Sequence, residues 1–254
     1  MSRSRRFRRG IYILPTVFTV GNLFCGFGSL LQAYSGKFGW AALLIIIAGL
    51  LDGLDGRIAR LTNTTSEFGI EFDSLADAVS FGVAPAFLVY SWALAPLERV
   101  GWWIAFVYLV CVAMRLARFN IQKKAADKRY FAGLPSPAAA GFLACVAFAF
   151  PVSPEPRWAA AAVVALVVVV SGLTVSRLRY RSFKEIDLRN RRSYLYVLPL
   201  AVILVAILTH PEISLLTFGT AYLLSGPVGY AWSLATRRRQ RPSSAEIVDE
   251  PSTH

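Results

Sequence analysis

The chain has 254 residues, 56% of them hydrophobic and 17% charged, with a mean hydropathy of +0.51 and a formal net charge of +12. That balance excludes an ordinary water-soluble domain, because the apolar runs are long and recurrent and about 20 largely apolar residues cross a bilayer. It also argues against nucleic-acid binding, because the basic residues are scattered between apolar runs and do not form one soluble face.

Residues 1–11 are basic and partly aromatic, a composition suited to a short amphipathic helix on the membrane surface. Eight spans are predicted after them, at about 12–34, 38–56, 73–95, 101–119, 133–152, 158–176, 194–209 and 213–235. The first resembles a signal peptide in following basic residues. It is too long for one, contains Pro15, Gly21 and Asn22 and lacks a cleavage site, so it is expected to be retained. Residues 12–236 form one membrane domain. Residues 237–254 are polar, with Pro, Ser and Thr, and are expected to be disordered. The predicted fold is thus an all-α polytopic bundle.

Charge sets the orientation. With the N-terminus in the cytoplasm and eight alternating spans, all of the 27 Lys and Arg except Lys37, Arg99 and Arg157 fall on the cytoplasmic side. Both terminal clusters are basic, which favours an even number of spans. The protein is therefore expected in the cell (inner) membrane, both termini cytoplasmic, its basic residues meeting anionic lipid headgroups. Cys25, Cys111 and Cys145 lie in apolar spans with no CxxC spacing and read as inert buried thiols. His210 and His254 fall on a predicted outer loop and at the C-terminus, so no His-based metal site is expected.

The junction of the second and third spans carries the chemistry. It reads DGLDGRIARLTNTTSEFGIEFDSLAD, with Asp52, Asp55, Asp73 and Asp77. Carboxylates beside apolar segments are costly unless a cation compensates them. Spacings of three and four put each pair on one helix face, and a short loop lets the pairs converge. Four carboxylates without His or Cys make an all-oxygen site suited to Mg²⁺, Mn²⁺ or Ca²⁺. Two ions about 3.5–4 Å apart would use the four better than one and would suit phosphoryl transfer. Gly56, Ala59 and Gly69 leave room for a bulky planar ligand, and Arg60 can meet a phosphate oxygen.

These residues read D-x-x-D-G-x-x-A-R, then eight residues, then G-x-x-x-D-x-x-x-D. The pattern resembles the CDP-alcohol phosphotransferase signature at every specified position: Asp52, Asp55, Gly56, Ala59, Arg60, Gly69, Asp73 and Asp77. LPTVFTVGNLFCGF at 14–27, FDSLADAVSFGVAPA at 72–86, RLARFN at 115–120, FAGLPSPAAA at 131–140 and VSRLRYRSFK at 175–184 are similar to the phosphatidylserine synthase branch. The resemblance implies CDP-diacylglycerol and L-serine as substrates, phosphatidylserine and CMP as products, and a homodimer. It implies Asp52, Asp55 and Asp73 as metal ligands, with Asp77 touching a second metal and acting as the base. A nucleotide pocket would involve Gly56, Ala59, Arg60, Ser66 and Gly69, with Thr16, Thr19 and Asn22 adding polar contacts. The serine carboxylate needs a cation, for which Arg118 is expected first and Arg115 next, with Asn120 beside them.

Other readings fit less well. A cation channel would place polar residues at mid-membrane along several spans, yet AAGFLACVAFAF and AAAAVVALVVVV offer none. A non-catalytic scaffold leaves the intact pattern unexplained. The acceptor could also be inositol phosphate or glycerol phosphate, although phosphorylated acceptors need more clustered cations. The lipid could be an archaeal-type ether.

Overall fold

The computed structural model describes residues 3–62, 67–124, 133–155, 157–176, 178, 180 and 205–239; for 3–15, 59–62, 122–124, 157 and 233–239 it describes the backbone alone. Every regular element among them is helical. Helices suit an apolar chain because they satisfy their backbone groups internally, which a lipid environment demands.

Helix α1 (Arg3–Tyr34) is unbroken, so the basic lead is its opening part and not a separate element. Its polarity is inverted relative to a soluble helix. Val17, Val20, Phe24, Phe27 and Leu31 are exposed along one stripe, while Thr19, Asn22 and Ser29 are buried on the other. Large apolar residues outward and small or polar ones inward is the pattern of a helix packed in lipid. The helix ends in a Schellman turn: Lys37 N–H donates to Gln32 C=O at 2.9 Å and Gly36 N–H to Ala33 C=O at 3.1 Å. Gly36 sits at φ 72°, where a side chain would be strained.

Helix α2 (Phe38–Thr62) runs back along α1. Helix α3 (Glu67–Asp77) then opens a long rod. The rod widens to a π-turn at Ala78–Val83, narrows to α4 (Ala84–Val89), widens again at Tyr90–Leu94 and closes in a 3₁₀ turn at Ala95–Leu97. Pro85 accounts for part of this, since it has no N–H for the carbonyl of Phe81 four residues back. The buried Tyr108 hydroxyl donates to that carbonyl at 3.0 Å.

At Glu98, φ 48°, the chain reverses into α5 (Glu98–Lys124). The cross-contacts run antiparallel, Tyr108 meeting Phe81 and Asn120 meeting Ser74. Helices α6 (Ser136–Ala149), α7 (Arg157–Val175) and α8 (Pro211–Arg239) follow. Helix α6 packs on α2 and α8, and α7 on α5. Buried alanines, among them Ala41, Ala48, Ala139 and Ala144, let these helices approach closely.

Thr16–Tyr34, Phe38–Ile58, Glu67–Ile121 and Trp158–Val175 are long and apolar enough to cross a membrane, and the reversal at Glu98 divides the third into two limbs. The protein thus has the architecture of a helical membrane protein. Several helix limits depart from the predicted spans. Helix α2 continues to Thr62 and α3 begins at Glu67, so Asp52, Asp55 and Asp73 lie within helices, and Asp77 closes α3 where the rod passes into the π-turn. Hydropathy marks the apolar part of a helix, whereas hydrogen bonding carries the helix on through its polar turns. Helix α6 is shorter than predicted, bounded by Pro135 and Pro151. Helix α8 runs to Arg239, three residues into the expected tail. Residues 194–204 of the predicted seventh span and the tail from 240 lie outside the described residues, while 205–209 are helical.

Candidate active site

Helix α2 carries Asp52 and Asp55, helix α3 carries Asp73 and Asp77, and α1 packs against both helices. The carboxylate oxygens of Asp52, Asp55 and Asp73 come within 4.8 Å of one another. Asp55 is buried, and Asp52 and Asp73 are half-buried. Three carboxylates this close repel one another and have lost part of their hydration, so a cation among them is strongly favoured. Their donors are all hard oxygens, and the set fits a divalent ion of the Mg²⁺, Mn²⁺ or Ca²⁺ kind.

Asp77 lies one turn beyond Asp73 and within electrostatic reach of the other three aspartates. It is not one of the three whose oxygens converge. Its Oδ1 accepts a hydrogen bond from Asn22 Nδ2 at 3.2 Å. On the same face of α1, Thr19 Oγ1 donates to Asp55 Oδ2 at 3.4 Å. Thus two polar residues of the first helix, one turn apart, each hold a carboxylate from a different helix. The Asn22 backbone carbonyl in turn accepts from Ser80 Oγ at 3.0 Å. Gly26 permits this approach: a Cβ there would lie 2.8 Å from Ser80 Cα. The π-turn after Asp77 is therefore pressed directly against α1.

Of Arg115 and Arg118 on α5, Arg115 is the one that faces the aspartates, within electrostatic reach of Asp77 and Asp52. Arg115 Nη1 donates to Ser136 Oγ at 2.8 Å, and the guanidinium lies 5.6 Å from the Phe119 ring centroid. Its Nε is buried and has no hydrogen-bond partner among the described residues. Arg118 is half-buried and makes no hydrogen bond or ion pair with another described residue. Asn120 Nδ2 donates to Ser74 Oγ at 2.9 Å, tying the end of α5 to the turn that carries Asp73.

The structure brings part of the expected nucleotide set to the same place. Gly56 faces open space beside Asp55, as does Gly53 beside Asp52. Thr16 lies one turn before Thr19 on α1, and Gly69 one turn before Asp73 on α3. Ala59 and Arg60 belong to α2, but their side chains lie outside the described residues, as does the whole of Ser66.

Sequence reading missed several residues that shape this site: Ser74, Ser80, Tyr108 and Ser136. A signal existed for one of them. Asp73, Asp77 and Ser80 follow at spacings of four and three, which is one helix face. Ser136 gave none, because its partner on α5 is 21 residues away.

Comparison with known proteins agrees with this geometry. Residues 12–175 match the family model described as CDP-alcohol phosphatidyltransferase. A Helicobacter pylori (strain ATCC 700392 / 26695) protein named CDP-diacylglycerol–serine O-phosphatidyltransferase is 37% identical over 217 residues, covering 85% of this chain and 90% of that one. The Bacillus subtilis (strain 168) protein of the same name is 34% identical over 180 residues, 71% of this chain and 96% of its own. That of Mycobacterium leprae (strain TN) is 44% identical over 143 residues, 54% of this chain and 47% of its own. The matched residues contain all four aspartates and the helices that position them, and the chain belongs to the CDP-alcohol phosphatidyltransferase family of enzymes.

Proposed function

We propose that the protein is a phosphatidylserine synthase, moving the phosphatidyl group of CDP-diacylglycerol onto the hydroxyl of L-serine and releasing CMP. The observation that carries this reading is the convergence of Asp52, Asp55 and Asp73 with Asp77 one turn away, held separately by Asn22. The names of its relatives support serine as the acceptor.

Asp52, Asp55 and Asp73 would hold a divalent cation, Mg²⁺ or Mn²⁺, with Asp77 contributing to a second ion. Bound there, such ions neutralise the diphosphate and polarise the phosphoryl group. Asp77 accepts the proton of the serine hydroxyl as that oxygen bonds to the β-phosphorus, the one bearing diacylglycerol. The bond from this phosphorus to the CMP oxygen breaks, and CMP leaves with the electron pair. Asn22 fixes the Asp77 carboxylate for this transfer, and Thr19 fixes Asp55 among the metal ligands.

The cytidine diphosphate would lie along the open side of Gly56, with Gly69, Thr16, Ala59, Arg60 and Ser66 around it. In this reading Thr19 and Asn22 act through the aspartates and not by touching nucleotide. Arg115 is the better candidate for the serine carboxylate than Arg118. A buried guanidinium with an N–H left over is suited to a planar anionic group. Arg118 and Asn120 would flank it. We read the whole as an eight-span homodimer with both termini and the site in the cytoplasm.

The test is CMP release by purified protein in detergent with CDP-diacylglycerol and Mn²⁺. L-serine, inositol phosphate, glycerol 3-phosphate or no acceptor would be supplied in parallel. Release with serine alone, with phosphatidylserine in the lipid extract, is the expected result. Release only with a phosphorylated alcohol would keep the metal site and overturn the acceptor.

A further inference from the structure

Arg115 is placed beside the aspartates by hydrogen bonds on either side of it. Tyr108 and Arg115 lie two turns apart on one face of α5. The Tyr108 hydroxyl donates to the Phe81 carbonyl, and Asn120 Nδ2 donates to Ser74 Oγ. Arg115 falls between these two ties on α5, as Asp77 falls between Ser74 and Phe81 on the rod opposite. The antiparallel register therefore sets Arg115 level with Asp77. The guanidinium is held there from two sides. Nη1 donates to Ser136 Oγ at 2.8 Å, the length of a charge-assisted hydrogen bond, and Cζ lies 5.6 Å from the Phe119 ring centroid. Nε is buried without a hydrogen-bond partner among the described residues. The edge shared by Nε and Nη2 is thus left to a ligand, and that edge matches the two oxygens of one carboxylate.

Ser136 is itself fixed by other contacts. It has no solvent exposure and opens α6 after Pro135. Just before it, Gly133 N–H donates to the Leu178 carbonyl at 2.9 Å and Leu134 N–H to the Leu173 carbonyl at 3.0 Å. Gly133 sits at φ 91°, and a Cβ there would meet the Thr174 carbonyl oxygen. The hydroxyl therefore reaches Arg115 from a turn clamped to the end of α7 and the residues after it. An arginine on a long flexible stem loses less freedom on binding a carboxylate when its planar fork is already held in one orientation.

We infer that Ser136 is a positioning residue for the acceptor: by taking Nη1 it presents the Nε–Nη2 edge of Arg115 to the acceptor's carboxylate. This rests on serine being the acceptor and on Arg115 meeting its carboxylate.

The experiment compares full-length wild type, Ser136→Ala, Arg115→Ala and the double variant in detergent, with CDP-diacylglycerol and Mn²⁺. It measures kcat and the KM for each substrate. Loss of one hydroxyl contact predicts a serine KM raised about fivefold in Ser136→Ala, with kcat and the CDP-diacylglycerol KM changed by less than about twofold. In the Arg115→Ala background the same change should add less than about twofold, because the group it orients is gone. A full additional increase there overturns the inference, since Ser136 would then act without Arg115. A merely structural role would move both KM values and kcat together, and that result overturns it too, as does an unchanged serine KM. If Ser136→Ala does not fold, Ser136→Cys, which keeps the size and weakens the acceptor, is judged by the same outcomes. If Arg115→Ala is too slow to assay, Arg115→Lys takes its place. Wild type that releases CMP only with another acceptor overturns the serine reading and this one together. Serine-dependent release with an unaffected Ser136→Ala overturns this one alone.

Discussion

Asn22 has no solvent exposure, although it sits in the most apolar half of α1. A buried amide without partners costs roughly 1–3 kcal/mol, so its position needs a reason. The reason is Asp77, whose Oδ1 accepts from its Nδ2; Ser80 donates to its backbone carbonyl, and the Asn22 Oδ1 has no hydrogen-bond partner among the described residues. Asp77→Asn keeps the shape of the side chain and removes the proton acceptor. CMP release is expected to fall by about 10²–10⁴-fold while CDP-diacylglycerol binding is largely kept. Near-normal turnover would remove Asp77 as the base. Asn22→Ala leaves the base present but unheld. It should reduce kcat by about tenfold, clearly less than Asp77→Asn, as the loss of one oriented hydrogen bond implies. Arg115→Ala should raise the serine KM well above that for the lipid. An unchanged value would leave Arg115 a purely structural cation between α5 and α6.

Among the elements, the contact between α1 and the π-turn after Asp77 sets the depth of the site. It depends on Gly26, since a Cβ there would meet both backbone and side chain of Ser80. Gly26→Val should push the two apart and take Asn22 away from Asp77. Overpacking of this kind costs about 1–3 kcal/mol, so a lowered Tm in detergent should accompany a kcat loss at least as large as that of Asn22→Ala. Full activity and an unchanged Tm would show that this contact is not needed. The aspartates themselves were legible in the sequence, because their spacing is local and the residue types are costly in apolar segments. Of the positions that complete the site, Thr19 and Asn22 were named only as contacts to the nucleotide, their pairing with the aspartates was not legible, and Ser80 and Ser136 were not named. Thr19, Asn22, Ser80 and Ser136 act over separations of 21 to 58 residues. A single helix period carries no information on such pairs. Helix limits were misplaced for a related reason: the polar turns around Asp55 and Asp73 stay helical after the apolar run has ended.

For the whole molecule, three helices supply the acidic site and its supports, so an ion bound there ties α1, α2 and α3 together. A ligand that binds only the folded state raises stability by mass action, about 2.7 kcal/mol at a hundred times its Kd. EDTA should therefore lower Tm as well as stop CMP release, and Mn²⁺ or Mg²⁺ should restore both. Activity in chelator would sink the metal site. The distribution of charge makes a separate demand on topology. Basic residues gather at Arg3 to Arg9 and at Arg237 to Arg241, and the positive-inside rule puts both clusters on the cytoplasmic side. That reading calls for an even number of crossings and predicts that the turn between α6 and α7, where Ser153 is exposed, lies on the opposite side. In a variant lacking Cys25, Cys111 and Cys145, a cysteine at Ser4 or Ser244 should react with an impermeant thiol reagent only in inverted vesicles. One at Ser153 should react only in right-side-out vesicles. Labelling of Ser4→Cys and Ser244→Cys from opposite sides would mean an odd number of crossings. The last helix would then enter from the other face, which would overturn the orientation drawn from the charge pattern.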